Sequence, residues 1–208
     1  MQIQFEADGF SLEGELSLPI SNSQCPGVVI CHPHPQYGGN MLNNVVQTVR
    51  NTLAQKAIAV LTFNFRGVGN SQGTYSGGEG EDKDAIAALD YLKTVDQIAQ
   101  GPIGLCGYSF GAGVASRVAM QYQGLTALGL ISGSVQPEWV NLPSIAKLFI
   151  SGDRDEYVSN KDVESLESNL PHPREIIMVP GVDHFWSSGE DVLNTHIGNF
   201  FERELSSL

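Results

Sequence analysis

The order of apolar patterns along the chain restricts its fold more than any other feature of the sequence. Continuous apolar runs such as Gly27–Cys31 are typical of strands that are buried on both faces of a sheet. Segments with apolar residues three and four positions apart, such as residues 43–57 and 82–94, are typical of amphipathic helices. Because the two patterns alternate to the end of the chain, we predict an α/β fold: a mainly parallel, twisted sheet with helices on both faces.

The N-terminal segment has a different pattern. Residues 3–18 alternate apolar and polar positions, and the turn pair Asp8-Gly9 interrupts them, so we predict an antiparallel hairpin at the sheet edge. The other predicted strands are residues 57–65, 102–106, 126–131, 147–151 and 174–179, and the other helices are residues 110–123, 160–170 and 190–205. We expect a single domain over residues 1–208, without a cap domain, because residues 132–146 are too few to form one.

Composition excludes several classes of partner. The formal net charge of −12 opposes binding to nucleic acid or to an anionic membrane surface. Three cysteines, Cys25, Cys31 and Cys106, do not suggest a disulfide scaffold. The N-terminus has no signal-peptide pattern and no apolar run has the length of a membrane helix, so we expect a cytoplasmic protein. The sequence leaves the oligomeric state open.

A candidate nucleophile lies between a predicted strand and a predicted helix. The run Gly107-Tyr108-Ser109-Phe110-Gly111 has the Gly-x-Ser-x-Gly spacing of a sharp strand-to-helix turn. Side chains two residues before and after the serine would collide there, which explains both glycines. We therefore predict that Ser109 is a nucleophile at a helix N-terminus. Cys106 is a poor rival because it lies inside the strand.

A nucleophilic serine needs a base, and three histidines follow Ser109. His172 lies between two prolines and His196 lies within the last predicted helix. His184 follows the strand that ends at Val179, and open α/β sheets place their sites at such strand ends. We predict that His184 is the base.

The acid is expected in the loop Gly152-Asp153-Arg154-Asp155-Glu156-Tyr157-Val158, which contains three carboxylates. Asp155 is preferred because it lies deeper in the loop and Val158 can pack beneath it. Asp153 is the main rival, although its position suits hydrogen bonds to nearby backbone amides. Asp183, next to the histidine, is interpreted as a residue that stabilises its loop.

These motifs resemble those of the α/β-hydrolase superfamily over nearly the whole chain. The similar segments are residues 107–111 (nucleophile elbow), 152–158 (a Gly-x-x-Asp-x-x-Val acid loop, pointing to Asp155), 181–184 (histidine loop) and 65–71 (an Arg-Gly-x-Gly-x-Ser turn). More narrowly, residues 32–41 and 63–69 resemble a group of small, lidless bacterial hydrolases that is similar to dienelactone hydrolases. Dienelactone hydrolases have cysteine where this chain has Ser109. The resemblance implies the α/β-hydrolase fold and supplies no defined substrate.

An acyl-transfer site also needs amide donors for the oxyanion. One donor is expected to be the N–H of Phe110, next to the nucleophile. The other should come from the loop after Gly27–Cys31, where the prolines have no N–H and His34 and Gln36 remain. In the resembling family the donor follows a His-Gly pair, and His32-Pro33 occupies that place, which favours His34.

Two other binding functions are disfavoured. His32 and His34 have no suitably spaced third ligand for a metal, so His32 is interpreted as a structural histidine. The glycine run of residues 67–73 departs by one position from the dinucleotide fingerprint Gly-x-Gly-x-x-Gly. We expect neither a metal nor a cofactor.

The sequence therefore predicts a carboxylesterase-like serine hydrolase that cleaves small acyl esters through an acyl-enzyme. A peptidase or amidase with the same triad is the first alternative, and a non-catalytic binding protein on this fold is the second. Without a cap, loops 32–41 and 136–142 should form the wall above the serine. Tyr37, Trp139 and Trp186 are the large residues available to line it, although each could equally pack within its own loop.

Overall fold

An eight-stranded sheet crosses the protein in a computed structural model that describes residues 1–20, 23–98 and 100–206. The strand order is β1-β2-β4-β3-β5-β6-β7-β8. The strands are β1 (Gln2–Ala7), β2 (Phe10–Ser17), β3 (Gly27–Cys31), β4 (Ala59–Phe63), β5 (Ile103–Tyr108), β6 (Leu125–Ile131), β7 (Ala146–Gly152) and β8 (Arg174–Val179). The helices are α1 (Asn44–Gln55), α2 (Glu79–Lys93), α3 (Phe110–Gln121), α4 (Asn160–Asn169) and α5 (Glu190–Leu205).

Strand direction follows the apolar patterns. The hairpin strands β1 and β2 pair antiparallel to each other, and β2 pairs antiparallel to β4. All pairings among the remaining strands, β3 to β8, are parallel. At the hairpin turn Asp8 and Gly9 both have positive φ, at 51° and 82°. The prediction of a mainly parallel sheet with an N-terminal antiparallel hairpin is confirmed.

The helices cover both faces of the sheet, as predicted. Apolar side chains of α2, α3 and α4 pack into one cluster on one face, and those of α1 and α5 pack into a second cluster on the other face. Between β6 and β7, residues 132–145 contain a single short 3₁₀ helix, Pro137–Asn141, and no cap domain. In the part of the chain that the structure describes, no helix is long and apolar enough to cross a membrane.

Element boundaries differ from the sequence prediction by up to three residues, and two of the differences have a clear structural cause. Helix α2 begins one turn earlier, at Glu79, because the Glu81 carboxylate accepts the N–H of Gly78 and caps the helix start. Strand β4 begins at Ala59 and not at residue 57, because Ala57 has a φ of 58°, which is incompatible with an extended strand.

Candidate active site

Four predicted site residues meet at one edge of the sheet. Ser109 follows β5, Asp155 follows β7, His184 follows β8 and His34 follows β3. Because these strands are parallel, their carboxyl ends lie at the same edge, where open α/β sheets bind their ligands.

The strand-to-helix turn at Ser109 has the geometry that its glycines predict. Ser109 has φ 55° and ψ −118°, and its N–H donates to the carbonyl of Ile131 at 2.9 Å. A Cβ on Gly107 would lie 2.1 Å from the carbonyl oxygen of Gly111, and a Cβ on Gly111 would lie 2.2 Å from that of Cys31. Side chains at either glycine position would therefore displace the backbone that holds the serine.

Ser109, His184 and Asp155 form one chain of hydrogen bonds. Ser109 Oγ lies 3.0 Å from His184 Nε2, and His184 Nδ1 lies 2.9 Å from both carboxylate oxygens of Asp155. An ionised carboxylate only accepts hydrogen bonds, so the ring proton is on Nδ1 and Nε2 is free to accept from the serine hydroxyl. The arrangement is that of a nucleophile, a base and an orienting acid.

The Asp155 carboxylate is buried and receives further donors. The backbone N–H groups of Tyr157 and Val158 donate to Oδ1 at 2.9 and 3.1 Å, and the Ser151 hydroxyl donates to Oδ2 at 3.2 Å. Burial raises the pKa of Asp155, but hydrogen bonds from His184 and from the Tyr157 N–H outweigh it, so the pKa lies below its usual value. Asp155 is therefore ionised at neutral pH and fixed in orientation.

The two rival carboxylates face other partners. Asp153 accepts the N–H of Gly181 at 2.6 Å and thereby ties the acid loop to the histidine loop. Asp183 accepts the N–H of Ser187 at 3.0 Å within its own loop. Asp153 is exposed and Asp183 is partly exposed, and neither bonds to His184.

Two side chains hold the histidine loop, a role that the sequence predicted for neither. Tyr108 donates its hydroxyl to the carbonyl of His184 at 2.8 Å, and Trp186 donates its indole N–H to Ser132 Oγ at 3.1 Å. Burial raises the pKa of Tyr108, which keeps its hydroxyl protonated as a donor. The position of Tyr108 next to the nucleophile could have marked it as part of the site, but nothing in the sequence indicated that its hydroxyl bonds to the histidine loop.

An open cleft of about 870 Å³ surrounds Ser109 and His184. Its exposed aromatic rim consists of Tyr37, Tyr157 and Phe185, which are 87%, 61% and 54% exposed. Of the three large residues considered for the wall, Tyr37 lines the cleft, whereas Trp139 and Trp186 are buried in the two apolar clusters and take the alternative role of loop packing. A larger depression of about 1110 Å³ lies beside β1, away from Ser109.

The two predicted amide donors both belong to residues that line this cleft. Phe110 is the first residue of α3, so its N–H has no acceptor within the helix. The N–H of Gln36 donates to His34 Nδ1 at 3.2 Å, whereas the N–H of His34 bonds to no residue that the structure describes. Of the two alternatives in this loop, His34 is thus the one with an uncommitted amide.

Neighbouring polar residues are structural. Buried His32 accepts the N–H of Phe65 at Nε2 and donates from Nδ1 to the carbonyl of Pro33, and burial lowers its pKa to about 4. Arg66 pairs with the buried Asp84 of α2 at 2.7 Å. Cys106, the rival nucleophile, is fully buried and burial raises its pKa to about 12, which makes a thiolate inaccessible at neutral pH.

Comparison with known proteins places this site in a family. Residues 8–141, more than half of the chain, match the family model of the X-Pro dipeptidyl-peptidases (S15 family). The chain belongs to the S15 family of α/β hydrolases. The matched region of the hydrolase contains Ser109 and ends before Asp155 and His184. An uncharacterized protein of Rickettsia prowazekii is 34% identical over an alignment of 196 positions that covers 89% of this chain and 82% of that protein.

Solved structures agree with the family. A protein of unknown function from Agrobacterium tumefaciens, described as an α/β hydrolase, has a TM-score of 0.90 at 28% identity. The match covers 99% of this chain and 97% of that protein. A serine hydrolase without a lid from Xanthomonas campestris has a TM-score of 0.86 at 27% identity, covering 100% and 96%. An α/β serine hydrolase homologue from Coxiella burnetii has a TM-score of 0.85 at 30% identity, covering 96% of each chain. The expected lidless α/β-hydrolase fold is therefore confirmed.

Proposed function

We propose that this hydrolase cleaves small acyl esters through an acyl-enzyme formed on Ser109. The observation that carries the proposal is the unbroken chain of hydrogen bonds from Ser109 Oγ through His184 to Asp155, with contacts of 3.0 and 2.9 Å. These distances are short enough for proton transfer from the hydroxyl to the imidazole during attack on a carbonyl.

In the proposed mechanism Ser109 Oγ attacks the ester carbonyl while His184 Nε2 takes the hydroxyl proton. Asp155 stabilises the resulting imidazolium through its Nδ1–H. The N–H groups of Phe110 and His34 donate to the oxyanion. The tetrahedral intermediate then expels the alcohol, which receives the proton from His184. Water, deprotonated by the same histidine, attacks the acyl-enzyme and releases the acid.

Peptide or amide hydrolysis is a second candidate, because the family model is described by an X-Pro dipeptidyl-peptidase activity. The same triad cleaves amides where a site binds the peptide. Assays of purified enzyme with p-nitrophenyl butyrate and with an X-Pro p-nitroanilide discriminate the two. We expect turnover of the ester and no measurable release of nitroaniline. The opposite preference would replace the esterase proposal by a peptidase.

Replacing the nucleophile is the most direct test. Ser109→Ala removes the attacking oxygen, so we expect kcat on p-nitrophenyl butyrate to fall by roughly 10⁶-fold while the protein remains folded. A fluorophosphonate probe should label wild-type protein and not the variant. Ser165→Ala, which removes a hydroxyl from the surface of α4, is the matched control. If Ser109→Ala keeps a tenth of wild-type activity, or if wild type turns over no acyl substrate, the proposed role is wrong.

A further inference from the structure

Helix α3 connects the candidate nucleophile with a charged side chain further along the same face. Ser109, Gly113 and Arg117 are spaced four residues apart, so they follow one another along one side of the helix, and all three line the cleft. Eight helical residues span about 12 Å. Gly113 has no side chain, so the helix surface between the serine hydroxyl and the guanidinium is a shallow trough.

The Arg117 guanidinium is held in a fixed orientation that leaves one edge free. Its Nε and Nη2 donate to the Asp82 carboxylate of α2 at 2.8–3.1 Å. Its Nη1 bonds to no residue that the structure describes, and it lies 3.5 Å from where a Cβ of Gly113 would be. A guanidinium has five N–H donors, so the edge formed by Nη1 and the outer N–H of Nη2 can bind a second carboxylate bidentately.

The surrounding charges do not occupy this edge. Asp82 neutralises the guanidinium from the α2 side, and the Glu81 carboxylate is turned towards the Ser76 hydroxyl and backbone and the Gly78 N–H. Glu79 is exposed at the start of α2. Arg117 is the only side chain with a permanent charge among the described residues that line the cleft, and 40% of it remains exposed. A ligand in the trough therefore meets the free N–H donors of a guanidinium whose charge Asp82 offsets from the other side.

We propose that the esters cleaved at Ser109 carry a carboxylate, which binds the free edge of Arg117. Helical side chains lean towards the N-terminus, which brings the guanidinium back over Gly113, about 6 Å along the axis from Ser109. The carboxylate of the substrate then lies roughly four to six bonds from the scissile carbonyl. This inference rests on the proposed esterase function and adds the chemical class of its substrate.

Matched charged and neutral esters test it. Mono-p-nitrophenyl adipate and p-nitrophenyl methyl adipate differ in a carboxylate on the acyl side. The acetyl esters of 5-hydroxypentanoate and of its methyl ester differ in the same group on the alcohol side. We expect wild type to prefer the charged member of one pair by roughly tenfold in kcat/KM. R117Q should abolish that preference, and added salt should weaken it. Ser109→Ala enzyme measures the spontaneous hydrolysis to subtract.

Two further variants separate recognition from support of the fold. K83Q removes the same charge from an exposed position on α2, outside the cleft, and should keep the charged-to-neutral ratio of wild type. D82N removes the anion that neutralises Arg117 and should raise the ratio. If R117Q and wild type give the same ratio on both pairs, Arg117 only joins α2 to α3 and the inference is wrong. Absence of turnover on all four esters would instead overturn the proposed function.

Discussion

The two ends of the parallel sheet differ in how their backbone and polar groups are used. At the carboxyl end three non-glycine residues, Ser109, Ser132 and Trp186, have positive φ at 55°, 46° and 55°. Such conformations are unfavourable for residues with a side chain and persist only where neighbours enforce them. Two hydrogen bonds enforce these conformations here: the Ser109 N–H donates to the carbonyl of Ile131, and the Trp186 indole N–H donates to Ser132 Oγ.

The amino end of the sheet contains a buried charge that has no carboxylate partner among the described residues. Lys147, the second residue of β7, is 1% exposed and donates to the carbonyls of Pro143 and Ile145, both at 2.7 Å. Burial, with repulsion from Arg174, lowers its pKa from 10.5 to about 8. Changes at the carboxyl end should therefore alter the reaction rate, whereas changes at the amino end should alter stability.

After loss of the nucleophile itself, the largest effect is expected for the acid at the carboxyl end. Asp155→Asn removes the negative charge that fixes and stabilises the His184 ring, so kcat should fall by about 10⁴-fold with little loss of stability. Asp153→Asn is the matched control two residues away. It weakens the contact with the Gly181 N–H and should lower the free energy of unfolding by about 1 kcal/mol with a rate near that of wild type. Steady-state kinetics of both variants measure kcat, and urea denaturation measures their free energies of unfolding. A larger rate loss for Asp153→Asn would exchange the two roles.

Lys147 should make stability depend on pH at the amino end. Its pKa of about 8 in the folded protein is below the ordinary 10.5, so between these values the unfolded chain binds more protons and stability rises with pH. The free energy of unfolding should increase by about 2 kcal/mol between about pH 7.5 and about pH 9.5 relative to Lys147→Met. Urea denaturation of both proteins at these pH values measures it, and esterase kcat serves as the second readout. Parallel stability profiles for wild type and Lys147→Met would contradict the assignment.

The sequence predicted most of the fold and the residues of the candidate site because these depend on local patterns. The Gly-x-Ser-x-Gly spacing fixed the turn at Ser109, and strand order placed Asp155 and His184 at the same edge. Contacts between distant segments were not predictable, which is why Tyr108 and Ser132 were missed as anchors of the histidine loop. For the same reason the sequence left the role of Trp186 open between cleft wall and loop packing, since an indole suits either environment and only the packing decides between them.

The smallest effect concerns the depth of the cleft at the carboxyl end. The rings of Tyr37, Tyr157 and Phe185 are exposed at the rim of the cleft, and Phe110, which also lines it, is packed against the core. Both tryptophans are buried elsewhere, so a long acyl chain has little apolar surface against which to lie. A deep acyl pocket would gain about 0.8 kcal/mol, or about fourfold in kcat/KM, for each methylene that it buries. We expect instead that kcat/KM for unsubstituted p-nitrophenyl esters is greatest between acetate and butyrate. For esters longer than butyrate it should change by less than about twofold per methylene. We also expect no activation at a lipid interface. A series from acetate to decanoate, measured below the critical micelle concentration of each ester, tests this. If kcat/KM continues to rise past octanoate, the carboxyl end of the sheet must contain a deep apolar pocket, and the description of that end as an open cleft is wrong.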